Sequence, residues 1–258
     1  MEFSVLNVSI LAFPVNIIIL LMFLVLLTVK PGSFIGRFGT TKVSIILISL
    51  LTLQCIIMGL VPQNSIKSSW PFVLTYLMLL INLALVIGRR LRDVSLKDFG
   101  FILNHAGLFI LLFSAGLGSA DKEKYFMKVD EGKVEWRGAN VESGDFVVLP
   151  LAILLKDFNM ETYPSSDSAT YLQPKSFSSQ VEIYSESGSI KSGKIEVNHP
   201  LTVGSWKVYQ YSYDIQAGKE SSFSVFELVY DPWLIPAYIG IIMLFLGAIT
   251  LFWKGGRR

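Results

Sequence analysis

Long apolar stretches, separated by short charged segments, make up most of the first 120 residues and the last 26. Five of these stretches contain no Asp, Glu, Lys or Arg, and each can hold a helix of about 20 residues, the length that crosses a hydrocarbon core of about 30 Å. The pattern therefore predicts an integral membrane protein with five transmembrane α-helices. The predicted spans lie near residues 9–29, 43–61, 71–88, 99–119 and 233–253.

The segment between the last two predicted spans has a different pattern. Residues 177–184, 205–213 and 223–230 combine β-branched and aromatic residues, and turn-forming clusters separate them. In 205–213, Tyr209, Tyr211 and Tyr213 alternate, which predicts a row of tyrosines on one face of a strand. The expected fold of this segment is a mostly antiparallel β domain, either a sandwich or an open barrel. The division predicted is 1–119 for four spans, 120–232 for the β domain, and 233–258 for the fifth span with a basic tail.

Charged residues predict which way the chain faces. The segments 30–42, 89–98 and 254–258 hold ten basic residues against two acidic ones, so they are expected in the cytoplasm. The N-terminus and residues 120–232 then lie on the outer side, which predicts an exported, periplasmic β domain. Residues 121–230 carry sixteen acidic and eleven basic side chains, a net of about −5, and this argues against a nucleic-acid partner.

One ionisable ring stands inside the fourth predicted span. His105 lies in an uncharged apolar stretch, where an ionisable side chain is costly and usually has a function. It could make a hydrogen bond between helices, or its neutral imidazole could bind a metal or act as an axial ligand of haem iron. Phe101 and Phe109, four residues to either side, would suit a flat apolar ligand on the same helix face.

Other motifs for chemistry are few. The other histidine, His199, precedes a proline in 197–201, a pattern typical of a structural extended turn. The single cysteine, Cys55, lies in the second predicted span, where a packing role is expected. The sequence contains no Cys-x-x-Cys motif, phosphate loop or nucleophile elbow, so no catalytic residue is predicted.

The order of these motifs resembles the ResB-like family of system II cytochrome c biogenesis, in the compact form of Bacteroidetes-type bacteria. The resemblance covers about residues 40–255, and the added first span departs from the simplest four-span pattern. The matching pieces are Ser44-Ile-Ile-Leu, Gly59-Leu-Val-Pro-Gln63, Ile87-Gly-Arg-Arg-Leu91, Leu103-Asn-His-Ala-Gly-Leu-Phe109, Gly118-Ser-Ala-Asp121, Leu155-Lys-Asp-Phe158, Tyr163-Pro164, Val197-Asn-His-Pro-Leu201, Trp206-Lys-Val-Tyr-Gln-Tyr-Ser-Tyr213 and Asp231-Pro-Trp233.

The resemblance implies a function in the bacterial inner membrane. Members of this family act with a CcsA-type haem-handling protein, and together they carry haem outward and attach it to apocytochrome c. It implies that His105 is an axial ligand of a transient haem b that a partner chain shares. From their spacing around His105, Phe101 and Phe109 are then expected to pack on this haem. The partner's tryptophan-rich motif is absent from this sequence, which implies a non-catalytic or co-catalytic subunit of the haem-attaching complex.

Two other functions remain open at this stage. The chain could be a non-catalytic assembly or anchoring protein whose β domain binds a redox partner without handling haem. It could also be a b-type cytochrome subunit, but that function needs paired histidines in the membrane and the predicted spans contain one.

Overall fold

The computed structural model describes residues 8–61, 66–92, 95, 98–163, 174–186 and 188–255. The chain divides into two compact units, a helical unit of residues 1–121 and 232–258 and a β unit of residues 122–231. The basic residues Lys97, Arg257 and Arg258 of the topology prediction lie outside the described residues.

Among the described residues, the helical unit contains five α-helices, and four of them are long and apolar enough to cross a membrane. Predicted spans two to five are confirmed as such helices. Helix α1 has 12 residues, about 18 Å at 1.5 Å per residue, so the first span stays a prediction. A short 3₁₀ turn, Val8–Leu11, precedes α1, and another, Gly118–Asp121, follows α4. The helices are α1 (Val15–Leu26), α2 (Thr41–Leu60), α3 (Trp70–Arg92), α4 (Phe99–Gly116) and α5 (Leu234–Gly255).

Polar contacts gather chain segments at one end of the helical unit. The carboxylate of Asp121 accepts hydrogen bonds from the backbone N–H of Phe13 at 2.6 Å, the Asn16 amide at 2.7 Å and the Trp233 indole N–H at 2.6 Å. These donors precede α1, lie in its first turn and precede α5, respectively. Asp121 therefore joins three segments that are far apart in sequence.

A second set of contacts lies at the C-terminal end of α3. The Arg89 guanidinium donates to the carbonyl oxygen of Gly36, and Arg92 Nη2 donates to the carbonyl oxygen of Thr28 at 2.5 Å. The segment between α1 and α2 thus lies beside the C-terminal end of α3.

In its described residues, the β unit is one antiparallel sheet of eight strands, in the order β5-β4-β3-β2-β1-β8-β7-β6. The edge strands β5 and β6 face each other, since Lys191 Nζ donates to the carbonyl oxygen of Thr202 at 2.6 Å. The sheet is therefore a nearly closed barrel, so of the two folds expected the barrel is confirmed and the sandwich is not. The strands are β1 (Glu123–Asp130), β2 (Val134–Asn140), β3 (Phe146–Thr162), β4 (Pro174–Ser185), β5 (Ile190–Glu196), β6 (Leu201–Val203), β7 (Trp206–Tyr213) and β8 (Phe223–Tyr230).

Alternating side chains fill the barrel interior. Met127 of β1, Ile153 of β3, Ile183 of β4 and Phe226 of β8 are fully buried there, and their strand neighbours point outward. Apolar burial of this kind is the main term that stabilises the unit. The stretch 159–176 is rich in Ser, Pro and Tyr, and this composition predicts a long loop. That prediction is wrong at both ends, because 159–162 belong to β3 and 174–176 to β4. Residues 164–173 lie outside the described residues.

The row of tyrosines predicted on β7 is wrong. A bulge between Gln210 and Ser212 shifts the register against β8, and Tyr213 pairs with the buried Ser224. Its ring packs 5.2 Å from Phe158, while Tyr211 stays exposed. The extra residue of the bulge reverses the faces beyond it, which a strict alternation cannot anticipate.

Candidate functional site around His105

His105 lies in an unbroken stretch of α4. It follows Phe99, the first residue of the helix, by six positions, about 9 Å along the axis. Gly100 and Gly107 lie inside this helix, and α5 packs closely against both of them. The imidazole is half-buried in the helical unit, which places it inside the apolar part of the chain with one side open.

A hydrogen bond to the backbone selects one tautomer of the neutral imidazole. His105 Nδ1 lies 2.9 Å from the carbonyl oxygen of Phe101, one turn earlier. A carbonyl oxygen can only accept, so Nδ1 carries the proton, and Nε2 of the neutral ring keeps its lone pair. A hydrogen bond of this kind is how proteins commonly hold a metal-binding histidine in one tautomer and orientation. In the part of the chain that the structure describes, Nε2 has no hydrogen-bond partner.

Phe101 extends this arrangement toward α3. Its ring stacks on the imidazole with centroids 3.7 Å apart and planes inclined by 21°. The guanidinium carbon of Arg90 lies 5.3 Å from the same ring, and Arg90 is paired with Asp98 at 2.6 Å. The predicted Phe101 is therefore beside His105, and it also contacts a basic residue that sequence reasoning used only for topology.

Phe109 has different neighbours. Its ring centroid lies 5.3 Å from Phe23 of α1 in an edge-to-face contact and 6.1 Å from Phe113. These rings belong to the apolar core of the helical unit. Among the described residues, the structure does not bring Phe109 into ring contact with His105, so its packing on a ligand stays a prediction.

Helix α5 occupies another face of α4. Gly107 lies against the backbone of Gly240, where a Cβ on Gly107 would come within 2.7 Å of the Gly240 carbonyl oxygen. Gly247 likewise lies against Asn104. Small residues at these crossings let the two backbones approach closely. This contact excludes a ligand from the face of α4 that packs against α5.

His199 lies in a tight turn of the β unit between β5 and β6. Its backbone N–H donates to the carbonyl oxygen of Glu196 at 3.0 Å, and the preceding Asn198 adopts a left-handed conformation with φ of 66°. The ring is exposed. Across the described residues, no three His, Cys, Asp or Glu side chains form a metal-binding group.

Cys55 is exposed on α2. The packing role expected for it is therefore wrong as far as packing within this chain is concerned. The residues that sequence reasoning missed near the site are Arg89 and Arg90. They lie three and two residues before the end of α3, but a basic segment that flanks a span is interpreted first as a topology signal.

Comparison with known proteins gives one family. A model described as the ResB-like family matches residues 94–223, which is 130 of the 258 residues. No curated protein matches the chain. Among solved structures, the protein titled cytochrome c heme lyase CcmF is similar with a TM-score of 0.46 and 12% identity, over 92% of this chain and 38% of that chain. This chain thus spans well under half the length of CcmF, and the likeness is too weak to establish a shared fold or activity.

Proposed function

Because the chain belongs to the ResB-like family, we propose that it acts in cytochrome c biogenesis as a membrane subunit of a system II cytochrome c synthase complex. In this function it binds haem within the membrane and helps deliver it to the outer face for attachment to apocytochrome c. The residues matched by the family include His105 and most of the β unit.

The hydrogen bond between His105 Nδ1 and the Phe101 carbonyl oxygen supports haem binding most directly. It leaves Nε2 with a lone pair, and a neutral imidazole nitrogen is a common axial ligand of haem iron. The stacked Phe101 ring keeps water from one side of the imidazole and offers an apolar surface to a flat ligand. When bound, haem b would supply the iron and the vinyl groups that attachment to cytochrome c requires.

The chain provides one membrane imidazole, so we place the second axial ligand on a partner. A CcsA-type haem-handling protein is the proposed partner, and haem is shared transiently between the two chains. The half-buried state of His105 supports this, because one side of its ring stays available to another chain. The β unit is proposed to position the partner and apocytochrome c.

We place the protein in the bacterial inner membrane with five spans, a periplasmic N-terminus and β unit, and a cytoplasmic C-terminus. The contact of Arg89 with Gly36 supports it, since it joins the two basic segments that the topology puts on one side, and Arg92 contacts Thr28 at the adjoining end of the first predicted span. In a Cys55→Ser background, cysteines at residues 30–42 should react only after permeation, and cysteines at residues 142–145 should react from outside. External labelling of residue 95 in sealed cells would reverse this orientation.

The function is tested by replacing His105. His105→Ala should reach normal membrane levels, because the rest of α4 still packs against α5 through Gly107. The complex with its partner should hold much less haem by absorbance, and cytochrome c maturation should be poor. Added imidazole should restore part of both by filling the vacated ligand position.

His199→Ala is the matched control, since His199 is exposed in a turn of the other unit. It should leave haem content and maturation unchanged. If His105→Ala instead keeps full haem and matures cytochrome c normally, the imidazole is a packing group, and an assembly or anchoring protein becomes the better account.

A further inference from the structure

A basic cavity lies between the ends of α2, α3 and α4. Its volume is about 390 Å³, and its walls include Thr40, Thr41, Arg89, Arg90 and Phe101. Phe101 is the residue that stacks on His105, so the cavity and the imidazole contact the same ring. The cavity therefore adjoins the proposed haem ligand without including it.

The two arginines leave hydrogen-bonding capacity for an anion. Arg89 donates from one terminal nitrogen to the Gly36 carbonyl oxygen, but its Nε–H is buried without a partner in the described structure. Arg90 is paired with Asp98, so the two guanidinium groups and one carboxylate leave a net positive charge. A buried guanidinium N–H without an acceptor is unfavourable, and a bound carboxylate would satisfy it.

The first turn of α2 adds to this potential. Thr40 is the N-cap residue of that helix and makes no capping hydrogen bond with its side chain. The N-terminal end of a 20-residue helix carries partial positive charge from its free backbone N–H groups. The positive potential of the cavity thus comes from the N-terminal end of α2 as well as from the arginine side chains.

The geometry points to a function for the cavity that rests on the proposed haem binding. We infer that Arg89 and Arg90 bind the carboxylate groups of the tetrapyrrole whose iron His105 binds. The Phe101 ring centroid lies 3.7 Å from the imidazole centroid and 5.3 Å from the Arg90 guanidinium carbon, so the last two are at most about 9 Å apart. The carboxylates of haem lie on one edge of the ring, so one flat molecule can reach both sites.

This arrangement fixes the orientation of the bound molecule. Its acidic edge faces the end of the helical unit where Arg92 contacts Thr28, and its apolar edge points toward the middle of α4. Arginine suits this role because its planar, permanently charged group donates two parallel hydrogen bonds to one carboxylate. The cavity should therefore distinguish a tetrapyrrole diacid from its neutral ester.

The test compares two probes on the full chain in nanodiscs of zwitterionic lipid. Zinc protoporphyrin and its dimethyl ester differ only in their carboxylates, and zinc in a porphyrin needs one axial ligand. Fluorescence titration should show that wild type binds the diacid about tenfold or more tightly than the ester, the usual effect of a charged hydrogen bond. Arg90→Gln, alone or with Arg89→Gln, should bring this ratio toward one and leave ester affinity unchanged, which also reports that the variant is folded.

Two variants serve as controls. Asp98→Asn removes the carboxylate that competes for Arg90, so it should raise the ratio. Arg92→Gln, whose side chain bonds to Thr28 outside the cavity, should leave the ratio as in wild type.

Four outcomes overturn the inference. Equal binding of diacid and ester by wild type would contradict carboxylate binding by the arginines but leave His105 as a ligand. Binding of neither probe would contradict the proposed haem binding as well. A ratio that persists in Arg89→Gln/Arg90→Gln assigns the discrimination to other residues. Retention of an anionic phospholipid in native mass spectrometry that depends on both arginines, with no diacid preference, would assign the cavity to a lipid phosphate.

Discussion

Helix α2 and strand β3 both consist largely of apolar residues, but those residues point into different surroundings. In α2, Leu47 is buried, while isoleucines such as Ile46, which is 65% exposed, face away from the chain. In β3, Leu149, Leu151, Ile153 and Leu155 alternate into the barrel interior. A chain that spans a membrane can leave apolar side chains on its outside, because lipid is as apolar as leucine.

Buried polar groups differ between the two units in the opposite way: they lie among the helices more than inside the barrel. Inside the helical unit, Asn82 donates to the Phe38 carbonyl oxygen at 2.6 Å and accepts from the Ser44 hydroxyl at 2.8 Å. In the barrel interior the buried residues are mostly apolar, and the polar pair Ser179–Ser224 is an exception at 2.7 Å. Buried hydrogen bonds, glycine contacts and ring packing therefore hold the helices together, while burial of apolar area holds the barrel together.

Truncating one phenylalanine in each unit is the clearest test of this difference between the barrel and the helices. Phe226 is fully buried in the barrel, and Phe226→Ala should cost about 4 kcal/mol in the free energy of unfolding. Phe245 of α5 is 65% exposed, and Phe245→Ala should cost close to zero in a bilayer. Hydrogen exchange of the full chain in nanodiscs, followed peptide by peptide, measures both. A large loss of protection in α5 would show that Phe245 is packed against protein.

Removing the charge of Asp121 tests the polar side of the comparison and should have the next largest effect. Asp121→Asn keeps the shape, but its amide has one acceptor oxygen for the three donors of Phe13, Asn16 and Trp233. The donors left unpaired should cost about 2 kcal/mol, read as faster exchange at the start of α5. Asp130→Asn, whose exposed carboxylate contacts Lys133, is the control and should change little. Equal effects of the two variants would show that Asp121 is solvated.

Particular residues show how far the sequence could predict this structure. Uncharged runs of sufficient length predict the spans α2 to α5, because no other backbone arrangement satisfies its hydrogen bonds in lipid so simply. Alternation identifies β8 to the residue, but it fails at Tyr213, where one bulged residue reverses the faces. The candidate role of His105 is predictable because it is an ionisable residue in an uncharged apolar stretch. Its hydrogen bond to the Phe101 carbonyl oxygen then follows from helix geometry, since Phe101 is one turn earlier.

The basic cavity could not be predicted in the same way. Arg89 and Arg90 meet Thr40 and Phe101 only after three helices pack, and no local pattern encodes that contact. The joining of Phe13, Asn16 and Trp233 by Asp121 has the same origin, since its donors are more than 100 residues away in sequence.

The smallest expected effect concerns a carboxylate on the outside of the barrel. Glu135 accepts two hydrogen bonds from the Arg137 guanidinium, and the backbone N–H groups of Trp136 and Arg137 at the β2 bulge also donate to it. The Arg137 hydrogen bond is the main reason that the pKa of Glu135 is lowered from 4.5 to about 2. A carboxylate with a lowered pKa in the folded state adds stability above its unfolded pKa, and this contribution is lost as the pH falls from about 4.5 to about 2. Because Arg137 is largely exposed, screening should keep the effect under about 1 kcal/mol. Hydrogen exchange of β2 at pH 6 and pH 3 should show a difference that Glu135→Gln removes, and its absence in wild type would show that the ion pair is fully solvated.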